Sequence, residues 1–324
     1  MSVYTAVSAE ALENFLGRYD IGQAQSLRGI SAGVENSNFF LDTSEGEFVL
    51  TIFERLAATE IPYFLELTAH LAHHGIPCPQ PIADREGHYL QSLCGKPAAI
   101  VQKLSGKSVE LPNPGQTRAV GALLGRMHKA AEGFPLRREN PRGLRWWIEA
   151  SGQLSSHLSP MDARLLSDEL QFQQNHCKSH LPHGVIHADL FRDNALFEGN
   201  LLTGVIDFYY AADDAYLYDL AITLNAWCSQ PDGALDAELA HCLWEAYQRE
   251  RPLSNDEIAC WPAALRGAAL RFWLSRLHDF HFPRPGDLTH TKDPEEYRRI
   301  LVARREMAEW TDFPGAEGLR AALK

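Results

Sequence analysis

The sequence has no apolar run near the roughly 18 residues that a membrane-crossing helix needs. Its N-terminus, MSVYTAVSAEALENFLGRYD, lacks the basic patch and apolar stretch of a secretory leader. Both absences favour a cytoplasmic chain with no membrane partner. Positive charge is scarce as well: 30 Lys and Arg stand against 42 Asp and Glu, a formal net charge of −12. Nucleic acids and anionic membranes need a basic footprint, so neither is an expected partner. A cysteine framework is also missing. The six cysteines (Cys78, Cys94, Cys177, Cys228, Cys242, Cys260) form no CxxC pair, and in a chain of 324 residues they read as reduced thiols. NHCKSHLPHGVIH crowds histidines around Cys177, but no second ligand cluster lies nearby and its latter half reads as a strand approach, against zinc. Repeats and low-complexity tracts are absent. What remains is an ordinary globular composition, 45% apolar and 22% charged, long enough for about two domains.

Ser8 reads as an N-cap ahead of AEALENFLGRYD, a first amphipathic helix. Two alternating runs follow, NSNFFLDTS and EFVLTIFE, joined at Ser44-Glu45-Gly46, and predict a β-hairpin. IPYFLELTAHLAHHGIP has helical spacing and stops at Gly75, with Pro77 beyond. HYLQSL and PAAIVQKL, around Cys94-Gly95-Lys96, predict another hairpin. After SGKSVELPNPGQ the character turns helical. TRAVGALLGRMHKAAEG carries Leu123, Leu124 and Met127 on its apolar face; YDLAITLNAWC, ELAHCLWEAYQRE and ALRGAALRFWLSRLHDF follow past residue 212. The expected fold is α+β in two lobes: a small β-rich lobe at 1–104 and a larger, mostly helical one at 105–324, with a ligand cleft between them.

The chemistry concentrates in VIHADLFRDNALF and TGVIDFYY. Each sets a polar cluster after a short apolar run, so each acid stands at the end of a strand. A carboxylate that takes a proton from a hydroxyl must be fixed near a metal without ligating it. An amide oxygen and a second carboxylate suit Mg2+, a hard cation that prefers oxygen. Asp189, Asn194 and Asp207 supply that set, in the order base, amide, carboxylate. Either string alone reads equally well as a polar turn; together they favour phosphoryl transfer.

H-x-D-x-x-x-x-N followed by I-D-F resembles the catalytic and metal-binding segments of the aminoglycoside and choline kinase superfamily, relatives of the protein kinases, and the order of segments agrees along nearly the whole chain. More narrowly, GVENSNFF, HADLFRDN, IDFYY and YDLAITLNAWC are similar to the bacterial homoserine kinases of that superfamily. The resemblance implies a protein-kinase-like two-lobe fold and an ATP-dependent enzyme that phosphorylates L-homoserine on the path to threonine. It implies Asp189 as base, Asn194 and Asp207 as Mg2+ ligands, and His187 and Asp219 as braces of the catalytic loop. Gly33, Val34, Glu35, Asn36, Ser37 and Asn38 would cover the ATP phosphates, and Gln102 to Leu104 would form a hinge that offers backbone groups to adenine. Choline, an aminoglycoside or methylthioribose stand as alternative acceptors. A nucleotide-binding regulator without catalysis stands as a reading of another class.

One departure from the family pattern concerns charge. The second nucleotide strand usually carries a phosphate-holding lysine paired with a helix glutamate. FVLTIFE puts Thr51 there and leaves Glu66 without a partner. Arg192, within the catalytic loop, is a candidate to replace the charge, with Lys103 and Arg55 as others. For the zwitterionic substrate, the helical tail offers Asn225, Trp227, Arg271, Trp273 and Arg276. Arg271 and Arg276 stand five residues apart and point in different directions on a helix, so at most one reaches the cleft; Arg271 is the favoured carboxylate ligand, since arginine makes bidentate bonds to carboxylates.

Overall fold

Ser8 starts the first element. Its Oγ accepts a hydrogen bond from the Ala11 N–H at 3.2 Å and caps α1, Ala9–Leu16. The computed structural model describes residues 4–30, 36–176, 180–283 and 292–307. By compactness the chain forms two units, Met1–Gly106 with Thr203–Ile206, and Lys107–Leu202 with Asp207–Lys324.

In the first unit, α1 lays Leu12, Phe15 and Leu16 on an antiparallel sheet of five strands. These are β1 (Ala24–Gly29), β2 (Asn36–Thr43), β3 (Gly46–Phe53), β4 (Gln91–Leu93) and β5 (Lys96–Gln102), in the order β1-β2-β3-β5-β4. Both predicted hairpins are present, β2–β3 closing at Thr43↔Gly46 and β4–β5 at Leu93↔Lys96. Cys94 and Gly95 have φ of 53° and 76°, the left-handed pair that a two-residue turn needs to match strand twist. Alternation along the strands sorts the side chains by face. Phe39, Leu41, Leu50, Ile52, Ala98 and Ile100 meet α1 in the core. Asn36, Asn38 and Thr51 fall on the other face, with Asn38 and Thr51 cross-strand partners. Helix α2 (Ile61–His73) buries Phe64, Leu67 and Leu71, and Gly75 at φ 79° turns the chain away after it.

The second unit is mostly helical: α3 (Pro114–Ala130), α4 (Leu144–Leu154), α5 (Pro160–His176), α6 (Tyr216–Cys228), α7 (Ala237–Glu250), α8 (Asn255–His281) and α9 (Pro294–Glu306). Asn113 and Gln116 close a reciprocal capping box at the start of α3, and Ser254 and Glu257 do the same for α8. Four short strands interrupt the helices along the chain: β6 (His183–Ile186), β7 (Ala195–Glu198), β8 (Leu201–Val205), which runs from this unit into the first, and β9 (Ala212–Ala215). β6 pairs antiparallel with β9, from His183↔Ala215 to Ile186↔Ala212. The chain leaving β6 and the chain entering β9 are therefore side by side, which brings the two motif strings together. No helix among the described residues is long and apolar enough to cross a membrane.

Candidate active site

β6 runs directly into His187, and the loop that follows is wrapped around a buried anion. The main-chain N–H groups of His187 and Ala188 each donate to the Asp219 carboxylate at 2.8 Å. Two successive N–H groups converge on an anion in this way only when the backbone changes hand, and Ala188 has φ 61°. A left-handed alanine costs about 1–2 kcal/mol, so Asp219 holds the loop in a shape that the chain alone disfavours. Asp219 in turn accepts from His128 Nε2 at 3.0 Å, and His128 Nδ1 meets the Tyr247 hydroxyl at 2.8 Å. All three side chains are fully buried. Burial acts to raise the Asp219 carboxyl, but the His128 hydrogen bond and the neighbouring positive dipoles hold it below the usual carboxylate range. Burial lowers the His128 imidazole and outweighs the opposing pull of Asp219.

This bracing delivers Asp189. Its N–H donates to His187 Nδ1 at 3.3 Å, and its side chain is 20% exposed. Loss of water pushes its carboxyl up to about 7; Arg271 and Lys292 oppose the shift, while Asp207 and Asp193 add to it. Asn194 ends a 3-10 turn, Arg192–Asn194, and its Nδ2 donates to the Asp189 main-chain oxygen at 2.8 Å and to Oδ2 at 3.3 Å. With the amide nitrogen so committed, Oδ1 is the atom turned away from Asp189. Asp207 follows β8 in the left-handed region, at φ 65° and ψ 63°. The structure thus gathers Asp189, Asn194 and Asp207 at one place. An amide oxygen and a carboxylate beside a second carboxylate are all hard oxygen donors and fit a divalent cation such as Mg2+.

Arg271, on α8, places NH1 3.5 Å from Asp189 Oδ1, and its side chain is 4% exposed. Its guanidinium lies over the rings of Phe272 at 3.6 Å and Tyr210 at 5.0 Å. Hydrogen bonds to it are absent among the described residues. Arg276 points elsewhere, binding the Asp293 carbonyl oxygen and Glu296.

Other candidates are not brought to this place. Arg192 donates to the carbonyl oxygens of Glu110 at 3.0 Å and Trp227 at 3.2 Å, with Ser229 at 3.5 Å. It ties the loop of Asp189 to the C-terminal end of α6, where free carbonyls attract a cation, in place of the phosphate contact expected of it. Asn225 has no polar atom left for a substrate: Nδ2 donates to Leu265 O and Oδ1 accepts from Arg304 Nε, both at 2.9 Å. Trp227 is fully buried, with Nε1 donating to Leu190 O at 3.0 Å. Both are packing residues of α6, whose all-round apolar pattern had no polar stripe to separate core from site. Lys103 pairs with Glu47 at 2.7 Å.

On the first unit, Thr51 Oγ1 donates to Asn38 Oδ1 at 2.8 Å, and the buried Asn36 Oδ1 has no partner among the described residues. Ser37 faces the opposite way. Its hydroxyl donates to Glu54 at 2.5 Å and accepts from the N–H groups of Tyr4 and Thr5, so its place is within the sheet's core side and not with Asn38. Lys96 joins the same group through Glu54 and Thr5. Glu66 is exposed and makes no ion pair among the described residues. The Gln102 N–H is taken by Gln80 O at 2.8 Å, whereas Leu104 lays its side chain over Gly204 and its main-chain groups have no partner among the described residues. Gly33 lies outside the described residues.

Sequence reasoning passed over Lys292, whose Nζ is 2.9 Å from Asp193. It also passed over the buried, unpartnered hydroxyls of Tyr218 and Tyr297, which lie in the field of Arg271. A lone tyrosine on a helix carries no motif, and neither does an isolated lysine ahead of the Asp-Pro start of α9.

A braced loop presenting a carboxylate, an amide and a second carboxylate has the groups that a phosphotransferase site requires. Residues 26–253 match the phosphotransferase enzyme family, APH. The chain belongs to that family and is an enzyme of its homoserine kinase branch. It is 46% identical over 317 residues to the homoserine kinase of Methylobacillus flagellatus, covering 96% of this chain and 99% of that one. With the homoserine kinase of Neisseria meningitidis serogroup B it shares 46% identity over 303 residues, 94% and 99% of the two chains. Among solved structures, an amicoumacin kinase in complex with AMP-PNP, Ca2+ and Ami matches with a TM-score of 0.68 at 18% identity, covering 92% of each chain. At that identity the likeness speaks for the protein-kinase-like fold alone.

Proposed function

We propose that the protein transfers the γ-phosphoryl group of ATP to the side-chain hydroxyl of L-homoserine, giving O-phospho-L-homoserine and ADP on the route to threonine, in the cytoplasm. The observation that carries this reading is Arg271. A guanidinium buried to 4% exposure, with Asp189 Oδ1 at 3.5 Å and no hydrogen-bond acceptor among the described residues, has donors left over for a second anion. The α-carboxylate of homoserine is such an anion, on a frame of three further carbons that keeps the hydroxyl close to Asp189. Choline offers no carboxylate, and an aminoglycoside offers more cations. The homoserine kinase relatives support the same substrate.

In this reading Asp189 takes the proton of the substrate hydroxyl as its oxygen attacks the γ-phosphorus and the bond to ADP breaks. Asn194, through Oδ1, and Asp207 would hold Mg2+, which neutralises charge on the phosphates when bound. Asn36, Asn38 and Thr51 offer uncharged polar groups to the nucleotide, and the main chain of Leu104 offers adenine a donor and an acceptor.

Steady-state assays across L-homoserine, choline, kanamycin and methylthioribose test the substrate. Homoserine should be turned over with the highest kcat/KM, and Arg271→Ala should raise the homoserine KM by about 10²-fold or more while the ATP KM stays within about threefold. Faster turnover of choline or kanamycin would overturn the substrate assignment, and equal shifts in both KM values would remove Arg271 from it.

A further inference from the structure

Thr51 carries no charge, and Arg192 is committed to carbonyl oxygens. A phosphoryl group in flight spreads negative charge over three equatorial oxygens, and kinases answer it with a cation besides the metal. We propose that Lys292 is that cation: its ammonium, now on Asp193, meets the transferred phosphoryl group. This rests on the phosphotransfer proposed for Asp189.

The geometry favours Lys292 on three counts. Its Nζ lies 2.9 Å from Asp193 Oδ2 and 5.1 Å from the Phe191 ring centre. Both residues lie between Asp189 and Asn194, so the ammonium already rests on the loop that carries the base. Its charge also bears on the Asp189 carboxyl.

Its backbone is fixed while its side chain is free. Asp293, the next residue, caps α9 by accepting from Glu295 N–H at 2.9 Å, and its carbonyl accepts from Arg276 at 2.8 Å. The side chain beyond this anchor is 57% exposed, and its partner Asp193 is 58% exposed. An exposed pair of this kind contributes at most about 1 kcal/mol, so the ammonium can leave Asp193 for a more highly charged anion with little loss. Arg271 does not have that freedom. It is buried, bounded by Phe272 and Tyr210, and turned to the substrate side of Asp189.

Full-length Lys292→Met and Lys292→Arg are the test, with Asp193→Asn beside them and Asp189→Asn as the reference for the chemistry. Lys292→Met should lower kcat by about 10²-fold, with both KM values within about threefold of wild type. Lys292→Arg should recover most of that loss. A thiophosphoryl group is a poorer partner for an ammonium, so the ratio of turnover with ATP to turnover with ATPγS should fall in Lys292→Met. Asp193→Asn should lower kcat far less than Lys292→Met, because it removes the resting partner and one of the charges that raise the Asp189 carboxyl but leaves the cation in place. A kcat within threefold in Lys292→Met overturns the proposal. So does an Asp193→Asn variant as impaired as Lys292→Met, which would make the pair a loop clasp. If wild type turns over homoserine and Asp189→Asn abolishes it while Lys292→Met does not, Lys292 alone is misassigned. If Asp189→Asn is as active as wild type, the phosphotransfer assignment itself falls.

Discussion

Asp219 shapes the candidate site through hydrogen bonds to the loop that presents Asp189. It accepts from two consecutive main-chain N–H groups, and these keep Ala188 left-handed and set the direction in which Asp189 leaves the loop. Its own position depends on His128, which must be neutral to donate from Nε2 to Asp219 while Nδ1 accepts from the Tyr247 hydroxyl. Tyr247 in turn accepts from Arg251, which pairs with the buried Glu257. Protonating His128 would turn Nδ1 into a donor and leave the Tyr247 hydroxyl hydrogen without its acceptor. A pH dependence with a definite sign follows. Burial holds the folded-state pKa of His128 below its ordinary value of 6.5. Below about pH 6.5 the unfolded chain therefore binds a proton that the folded protein refuses, and the stability due to His128 is lost as pH falls. Because Asp189 titrates in the opposite sense, the contribution is read by difference. Wild type should exceed His128→Gln in unfolding free energy by most above pH 7, and the gap should narrow toward pH 5. Its slope should not exceed about 1.4 kcal/mol per pH unit. Urea melts at pH 7.5, 6.5 and 5.5 measure it, and a constant gap would exclude a neutral His128 as its cause.

Helices α3 and α7 show how one missing side chain decides an element's packing. A Cβ added at Gly121 would stand 2.2 Å from the Leu243 carbonyl oxygen, with the Leu243 carbonyl carbon at 2.9 Å. The helices approach this closely because position 121 has no side chain, and the obstacle is backbone that is unable to swing aside. Gly152 on α4 has nothing within 4 Å. Gly121→Ala should therefore cost about 1–3 kcal/mol by overpacking, although alanine is the better helix former. Gly152→Ala should raise stability by up to about 1 kcal/mol. Thermal melts of the two variants decide, and a stabilised Gly121→Ala would mean that the helices separate without loss. The sequence-based reading saw α3 begin at Thr117 and missed the Asn113–Gln116 capping box three residues earlier. It found the two hairpins because Ser44-Glu45-Gly46 and Cys94-Gly95 are local turn chemistry. It passed over β1, whose AQSLRG is half-exposed at the sheet edge and has no alternation to read. The α8 pattern was legible only past Ala264, since Pro262 stands within the helix and breaks the apparent period.

For the whole molecule, the net charge of −12 sets the problem that the site must solve, since both the nucleotide and homoserine's carboxylate are anions approaching an acidic protein. The trio Asp189, Asn194 and Asp207 was legible because its order and spacing are set by short loops on paired strands. Of the cations around it, Arg271 was named from its residue type and its helix, whereas Lys292 was not, because its position depends on where α9 packs, which no local spacing records. Arg192 illustrates the difference: adjacent in sequence to the trio, it turns toward the end of α6 instead. If Asn194 and Asp207 hold Mg2+, nucleotide binding should stabilise the folded chain chiefly in the presence of that ion. Ligand at 100 times its Kd adds about 2.7 kcal/mol to stability, a shift visible in a thermal melt. Asp207→Asn is the informative variant, because asparagine tolerates the left-handed backbone at φ 65° and the substitution removes charge without adding strain. ADP with Mg2+ should raise the melting temperature of wild type well above the value with ADP and EDTA. That Mg2+-dependent increment should vanish in Asp207→Asn, while Asn194→Ala, which removes an uncharged ligand, should retain part of it. An undiminished increment in Asp207→Asn would show that the carboxylate does not hold the ion. In that case charge neutralisation at the phosphates would have to come from cations such as Lys292.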